Sequence, residues 1–508
     1  MIELTGSQLG FSEIENIIFN HEPITLAKEA RESVVHSREF IDKTIQEGRV
    51  IYGVTTGFGK FSDKIISKEN TKQLQENLIM SHAVGVGEPF NKAVVRGIML
   101  FRINNLIKGY SGIRLETVQL LVEMLNKGVH PVIPSQGSVG SSGDLAPLAH
   151  MVLVMLGRGK AHYNGKILQG DEALESAGLS PIQLQAKEGL ALINGTQAMA
   201  SVGANIWLRM RNLLKTADIC GAMTVDALEG LLDPFDHRFF QLRAHPGHGK
   251  TSANLRCLLE SSEIIENRTH PRVQDAYTVR CIPQVHGTSK DAHSHVGEVL
   301  EREINSTTDN PLVFADTDEI ISGGNFHGQP LAIPMDYLAV AISELGNISE
   351  RRVERLMDQS TNYGLPAFLI QDGGISSGFM ILQYTAASLV SENKSMAHPA
   401  SVDSIPTSSN QEDHVSMGTT AARKAMYILE NCEKILAIEI MCAAQGLEFR
   451  SSKKPGRGTK AALDRVRQEI SFLEQDRELE HDLKKAISMV KEGEIVKAVE
   501  KEVGPLAV

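Results

Sequence analysis

Helical spacing organises most of the apolar positions in this chain. Val118, Leu121, Val122 and Leu125 fall at i, i+3, i+4 and i+7, one face of a helix, and Gly128 stands where such a helix would end. Segments 336–357, 376–397 and 415–447 are long, rich in Ala, Leu, Ile, Met, Glu and Arg, and free of proline. A helix of thirty residues runs about 45 Å, longer than a compact globule needs. These segments therefore predict a bundle core or an interface between subunits. Strand signals are few and short, at 129–132, 161–163 and 312–314. The pattern reads as a mainly α protein. Shorter elements and glycine-rich turns precede residue 200 and long helices follow it, which predicts two domains, 1–200 and 201–508, with an active site between them. Residues 451–458 read as a surface loop before a charged C-terminal helical segment.

Composition narrows the partners. Across 508 residues, 51 basic and 62 acidic side chains leave a net charge of −11, which argues against nucleic acid or an anionic membrane surface. Met1-Ile2-Glu3-Leu4 lacks a basic leader region, and no apolar run reaches membrane-spanning length. The five cysteines are scattered, odd in number and never spaced as C-x-x-C, so neither a disulfide framework nor a zinc cage is indicated. No metal site is expected. The expectation is a soluble cytoplasmic protein.

Candidate chemistry concentrates in residues 137–150, where Ser141-Ser142-Gly143 precede Asp144 and an apolar run. Gly143 has no side chain, so its amide nitrogen can approach the Ser141 carbonyl closely. Attack there closes a five-membered ring, and loss of the Ser142 hydroxyl as water leaves an exocyclic methylene conjugated to it. That is an electrophile, which no ordinary side chain supplies. The plainer alternatives are a flexible loop or a phosphate cradle. The cradle fits poorly, because the spacing is Gly-x-x-Gly-x-x-Gly and the run ends in an acid rather than Lys followed by Ser or Thr.

Four other segments carry polar residues and glycines within apolar surroundings. Tyr52 lies in a glycine loop, 51–60, where it either approaches a ligand or packs over a turn. Asn194-Gly195-Thr196-Gln197 marks a turn. Tyr277 and Arg280, three apart, share a face if helical, and Arg280 can grip a carboxylate or form a surface salt bridge. Within 401–418, Glu412 and Asp413 read either as site carboxylates or as a pair at a helix N-terminus. Residues 244–251 imitate a phosphate loop, but the segment before them is too polar for the buried strand such a loop needs. His293 and His295 would point apart on a helix, and neither they nor His286 find a third ligand at suitable spacing.

Together these motifs resemble the ammonia-lyase family that builds an internal methylidene-imidazolone (MIO) group. The likeness covers roughly residues 1–450. It rests on the 137–150 stretch, the Tyr52 loop, Asn194–Gln197, Asp309-Asn310-Pro311, the segment 323–328 and the 401–418 block. The resemblance implies a long-helix bundle of the fumarase/aspartase-like type with a smaller N-terminal cofactor-bearing domain. It further implies a homotetramer with active sites assembled from several subunits, a small-molecule amino-acid substrate, and no external cofactor. On the family pattern Ser141, Ser142 and Gly143 would form the MIO ring and Tyr52 would remove the substrate's β-proton. Arg280 would hold the carboxylate, while Asn194, Tyr277 and Asn310 would orient the electrophile. His82 and Glu412 match positions that histidine-acting members place near the imidazole, and Phe326 would line the pocket. A buried imidazole needs hydrogen-bond partners, which makes a His and a carboxylate sensible there.

The implied reaction is elimination of ammonia from L-histidine to give trans-urocanate, the first step of histidine degradation. Tyrosine or phenylalanine lyases and 2,3-aminomutases of the same family remain open, as does a catalytically silent relative. One departure stands beside the ring. Ser141 occupies a position where the family usually has alanine, and its hydroxyl can hydrogen-bond the turn or alter the pocket. Thr55, where histidine lyases often carry Asn, is a smaller one.

Overall fold

The helix Leu115–Lys127 shows how local pattern becomes structure. Val118, Leu121, Val122 and Leu125 are all buried, and Gly128 ends the helix at φ +79°, with its N–H bonded to the Met124 carbonyl. A residue without Cβ enters that left-handed conformation at little cost. The computed structural model describes residues 1–508 apart from Phe58, Ser62, Lys68 and Glu69. Phe58, part of the Tyr52 loop, therefore lies outside the described residues.

The chain divides into two compact units that interleave along the sequence. The first comprises Met1–Asn205, Gly297–Asp336 and Pro399–Arg423, and the second Ile206–Val296, Tyr337–His398 and Lys424–Val508. The expected cut near residue 200 meets the end of the first unit's leading segment. The two later segments join that unit as well, so a single cut does not describe the division.

The first unit carries short helices and small sheets. Helix Lys92–Leu106 is buried from Val94 onward, and the Asn91 side chain caps its start by accepting from Val94 N–H at 3.0 Å. The strand signals take the form of His130–Pro131 and Lys160–Tyr163 in a three-stranded antiparallel sheet with Lys166–Gln169. Leu312–Phe314 pairs antiparallel with Glu319–Ile321.

The second unit is built from long helices. Met380–Met396 lies wholly within it, while Gln197–Ala227, Ile282–Ile304, Gln329–Met357 and Gly418–Glu448 each contribute residues to both units. Gln329–Met357 begins seven residues before the predicted segment and contains Pro334. Its most apolar 18-residue stretch has a mean hydropathy of 1.2, and 67% of that stretch is buried in the protein, as in a core helix. Ile219, Leu345, Val353, Ile435 and Leu436 are buried in the second unit. So is Arg352, which is paired with Glu439 at 2.5 Å. A charge taken out of water needs such a partner.

The histidines considered as metal ligands have other neighbours. His286 lies 2.8 Å from Asp218, and burial lowers its pKa. His293 stacks on Trp207 with ring centroids 4.5 Å apart, and His295 faces the Tyr337 ring at 6.2 Å. The phosphate-loop look-alike runs into helix Pro246–Leu258 and is preceded by helix His237–Leu242, not by a strand.

Candidate active site

The serine-glycine turn is fixed by backbone contact with a second turn. Gly143 has φ +70°, and a Cβ on it would lie 2.1 Å from the Gly195 carbonyl oxygen. The two glycines form a parallel bridge, and Asp144 N–H donates to the same carbonyl at 2.7 Å. Both the left-handed φ and the lack of room require glycine here. Helix Leu145–Met155 follows at once. Asp144 is fully buried and accepts from Met199 N–H at 2.9 Å, from the Ser138 hydroxyl at 2.8 Å and from the Thr419 hydroxyl. Burial pushes its carboxyl pKa up, against the pull of those hydrogen bonds.

Next to this turn is a cavity of about 1210 Å³ lined by Tyr52, His82, Ser141, Ser142, Asn194, Asn310, Phe326 and Glu412, among others. All of them belong to the first unit. Each is held by its own local chemistry. The Tyr52 hydroxyl accepts from Gly59 N–H at 3.1 Å. His82 closes helix Thr71–His82, with Nδ1 3.0 Å from the Ser81 hydroxyl. Burial lowers the His82 pKa, opposed by a hydrogen bond to Leu78 and by the negative charge of Glu412. Asn310 Oδ1 accepts from Gly323 N–H at 2.7 Å and from the Ser322 hydroxyl at 3.2 Å, which fixes the loop leading to Phe326.

The Asn194 side-chain amide donates to the Asn310 main-chain carbonyl at 3.2 Å and to Asp309 Oδ1 at 3.4 Å, while the Asn194 main-chain carbonyl accepts from Arg102 at 2.9 Å. Asp309 in turn pairs with Lys187 at 2.7 Å, both side chains fully buried. Arg102 is also buried, and desolvation lowers its pKa to about 10. Sequence reading missed Arg102 and Lys187, because neither stands in a recognisable motif.

Glu412 is not a helix cap. The helix after it begins at Gly418, and Glu412 instead pairs backbone to backbone with Thr407. Its carboxylate collects three hydroxyls. Oε1 accepts from Ser142 at 2.8 Å, and Oε2 accepts from Ser141 at 2.9 Å and from Thr407 at 2.8 Å. The extra hydroxyl of Ser141 thus reaches Glu412. Thr407 is a further residue that motif reading passed over.

Tyr277 and Arg280 are not brought to this cavity. They form a short helix, Tyr277–Arg280, in the second unit, with the guanidinium 4.5 Å from the Tyr277 ring centroid and Tyr277 70% exposed. The shared face expected from their spacing is present. Arg280 donates to Gln274 at 2.8 Å.

The residues present fit an internal methylidene-imidazolone. The turn residue whose nitrogen must close the ring tolerates no side chain, and the serine that must lose its hydroxyl lies at the cavity wall. A mainly helical protein with such a turn beside a tyrosine, a histidine and a carboxylate has the groups that a lyase with an internal electrophile would need. The aromatic amino acid lyase family matches residues 9–468, and the chain belongs to that family. A histidine ammonia-lyase of Natranaerobius thermophilus is 65% identical over 506 residues, covering 100% of both chains. Among solved structures, histidine ammonia-lyase from Trypanosoma cruzi has a TM-score of 0.91 at 41% identity, covering 99% of this chain and 95% of its own. Tyrosine aminomutase from Streptomyces globisporus has a TM-score of 0.95 at 34% identity, covering 100% of each. The family read from the motifs and the mainly α fold are both borne out.

Proposed function

We propose that the chain is a carbon–nitrogen lyase that eliminates ammonia from L-histidine to give trans-urocanate. The observation that carries this reading is the Glu412 carboxylate facing one cavity with His82, Tyr52, Ser142 and Asn194. Ser141, Ser142 and Gly143 are the residues that would hold the internal ring. When formed, it supplies an electrophile for the substrate's amine, giving the electron pair of the departing nitrogen somewhere to go. Tyr52 takes the β-proton, Asn194 and Asn310 orient groups at the turn, and Phe326 packs against the ring of the substrate. Glu412 and His82 meet the imidazole with the hydrogen-bond partners it requires once buried.

Arg280, for the carboxylate, and Tyr277 complete the proposed constellation from a neighbouring copy in a homotetramer. Exposed apolar side chains on the long helices, Tyr337, Val340, Ile381 and Tyr384, support such an assembly by offering surface for a partner copy. A cytoplasmic location is part of the same proposal.

Two measurements test it. Urocanate, coumarate and cinnamate formation are compared on the purified enzyme, and histidine is expected to be the fastest substrate; faster turnover of tyrosine would overturn the assignment. Glu412→Gln is expected to raise KM for histidine by about tenfold or more, the loss typical of a charged hydrogen bond. A KM unchanged from wild type would remove Glu412 from the imidazole site.

A further inference from the structure

We propose that the Ser141 side chain is a positioning group, which locks the Glu412 carboxylate so that one of its oxygens is presented to the substrate's imidazole N–H. The inference rests on the reading of Glu412 as the imidazole's partner and goes beyond it. Ser141 enters the proposed ring only through its backbone, so its hydroxyl has no part in that chemistry.

The division of hydroxyls between the two oxygens carries the argument. Among the described residues Oε1 takes the Ser142 hydroxyl alone, while Oε2 takes both Ser141 and Thr407. Ring closure forms a bond from Gly143 N to the Ser141 carbonyl carbon. The carbonyl oxygen leaves as water with the amide hydrogens of Gly143 and Ser142. A second water takes the Ser142 hydroxyl and its α-hydrogen, leaving the exocyclic double bond. Of the three hydroxyls on Glu412 only that of Ser142 is consumed. Oε1 loses its donor, whereas both donors to Oε2 survive.

The surviving pair restrains a rotor. The Glu412 backbone is already tied to Thr407, with Thr407 N–H donating at 2.9 Å and Glu412 N–H donating back at 3.3 Å. Two hydroxyls on Oε2 then fix the carboxylate plane, so that Oε1 need not be ordered when ligand binds. Such pre-organisation raises affinity by removing an entropic cost of association. It acts only on ligands that donate a hydrogen bond to Oε1. Ser141 is 5% exposed, which shields its bond to Glu412 from competing water.

The test uses the full-length protein and two ligands that share an acrylate tail, urocanate and cinnamate, of which only the first carries an imidazole N–H. Ring formation is first verified from the mass of the 137–150 peptide, and both ligands are then titrated calorimetrically. Ser141→Ala is expected to keep the loss of two waters, to weaken urocanate by about tenfold, and to leave cinnamate unchanged. Weakening of both ligands alike, or of neither, would overturn the proposal, as would a Ser141→Ala peptide of unmodified mass. Glu412→Gln separates the two levels. If it weakens urocanate while Ser141→Ala does not, only the positioning role falls; if it leaves urocanate unchanged, the reading of Glu412 falls as well.

Discussion

Ser142→Ala is expected to abolish ammonia release, with a fall on the order of a thousandfold or more, as when a covalent participant is removed from an active site. The 137–150 peptide of the wild-type enzyme should be lighter than its sequence by two waters, and the variant should lack that deficit. The reason is local. Without the Ser142 hydroxyl there is no leaving group to create the exocyclic methylene, and the remaining side chains at the cavity offer only ordinary nucleophiles, acids and bases. Stability should change little, since Ser142 is only half-buried and alanine fits the same backbone. A variant that turns over histidine at near-normal rate would rule out the covalent electrophile.

Lys187→Met is expected to be the most destabilising of the substitutions considered. Lys187 and Asp309 are fully buried and 2.7 Å apart. Burial depresses the lysine's pKa while the charge of Asp309 and its hydrogen bond push it back up. Removing the cation leaves the buried carboxylate without its ion-pair partner, which costs about 3–5 kcal/mol. Asp309 also accepts from Asn310 N–H at 2.7 Å and from the Asn194 amide, so activity should fall along with stability. Thermal and denaturant unfolding measure the first effect. Adding Asp309→Asn to Lys187→Met should recover part of the loss, because a neutral amide does not need the cation. A single variant that melts like wild type would show that the pair does not anchor the two asparagines.

How far the chain could be read from its pattern depended on how each element meets solvent. Helix Leu115–Lys127 has one wet face, and its apolar period is therefore visible. Gln197–Ala227 contains a long run of buried positions and no wet stripe, so periodicity gives no edges to it even though it is among the longest helices. The capping interpretation of Glu412 failed for a related reason. A carboxylate near Ser and Asn residues satisfies the local signature of a helix start, yet the helix begins at Gly418. Arg102 and Lys187 left no trace at all. Their roles exist only in contacts such as that of Arg102 with the Asn194 carbonyl, 92 residues away.

In the sequence, Ser141-Ser142-Gly143 supply the atoms a self-made electrophile needs, and the motifs taken together resemble the ammonia-lyase family with an internal methylidene-imidazolone. Ring closure needs only atoms adjacent in the covalent chain, and motifs of that kind are written in consecutive letters. Tertiary structure decided what surrounds the turn. It places Glu412 on the hydroxyls of Ser141 and Ser142 across a separation of about 270 residues, and seats Gly143 against Gly195 with no space for a Cβ. Such contacts are set by the packing of the whole unit, since a hydrogen bond between distant residues carries no signature in either local sequence. The extra hydroxyl of Ser141, a departure when read in the sequence, becomes in the folded protein a ligand of the carboxylate proposed to recognise the substrate.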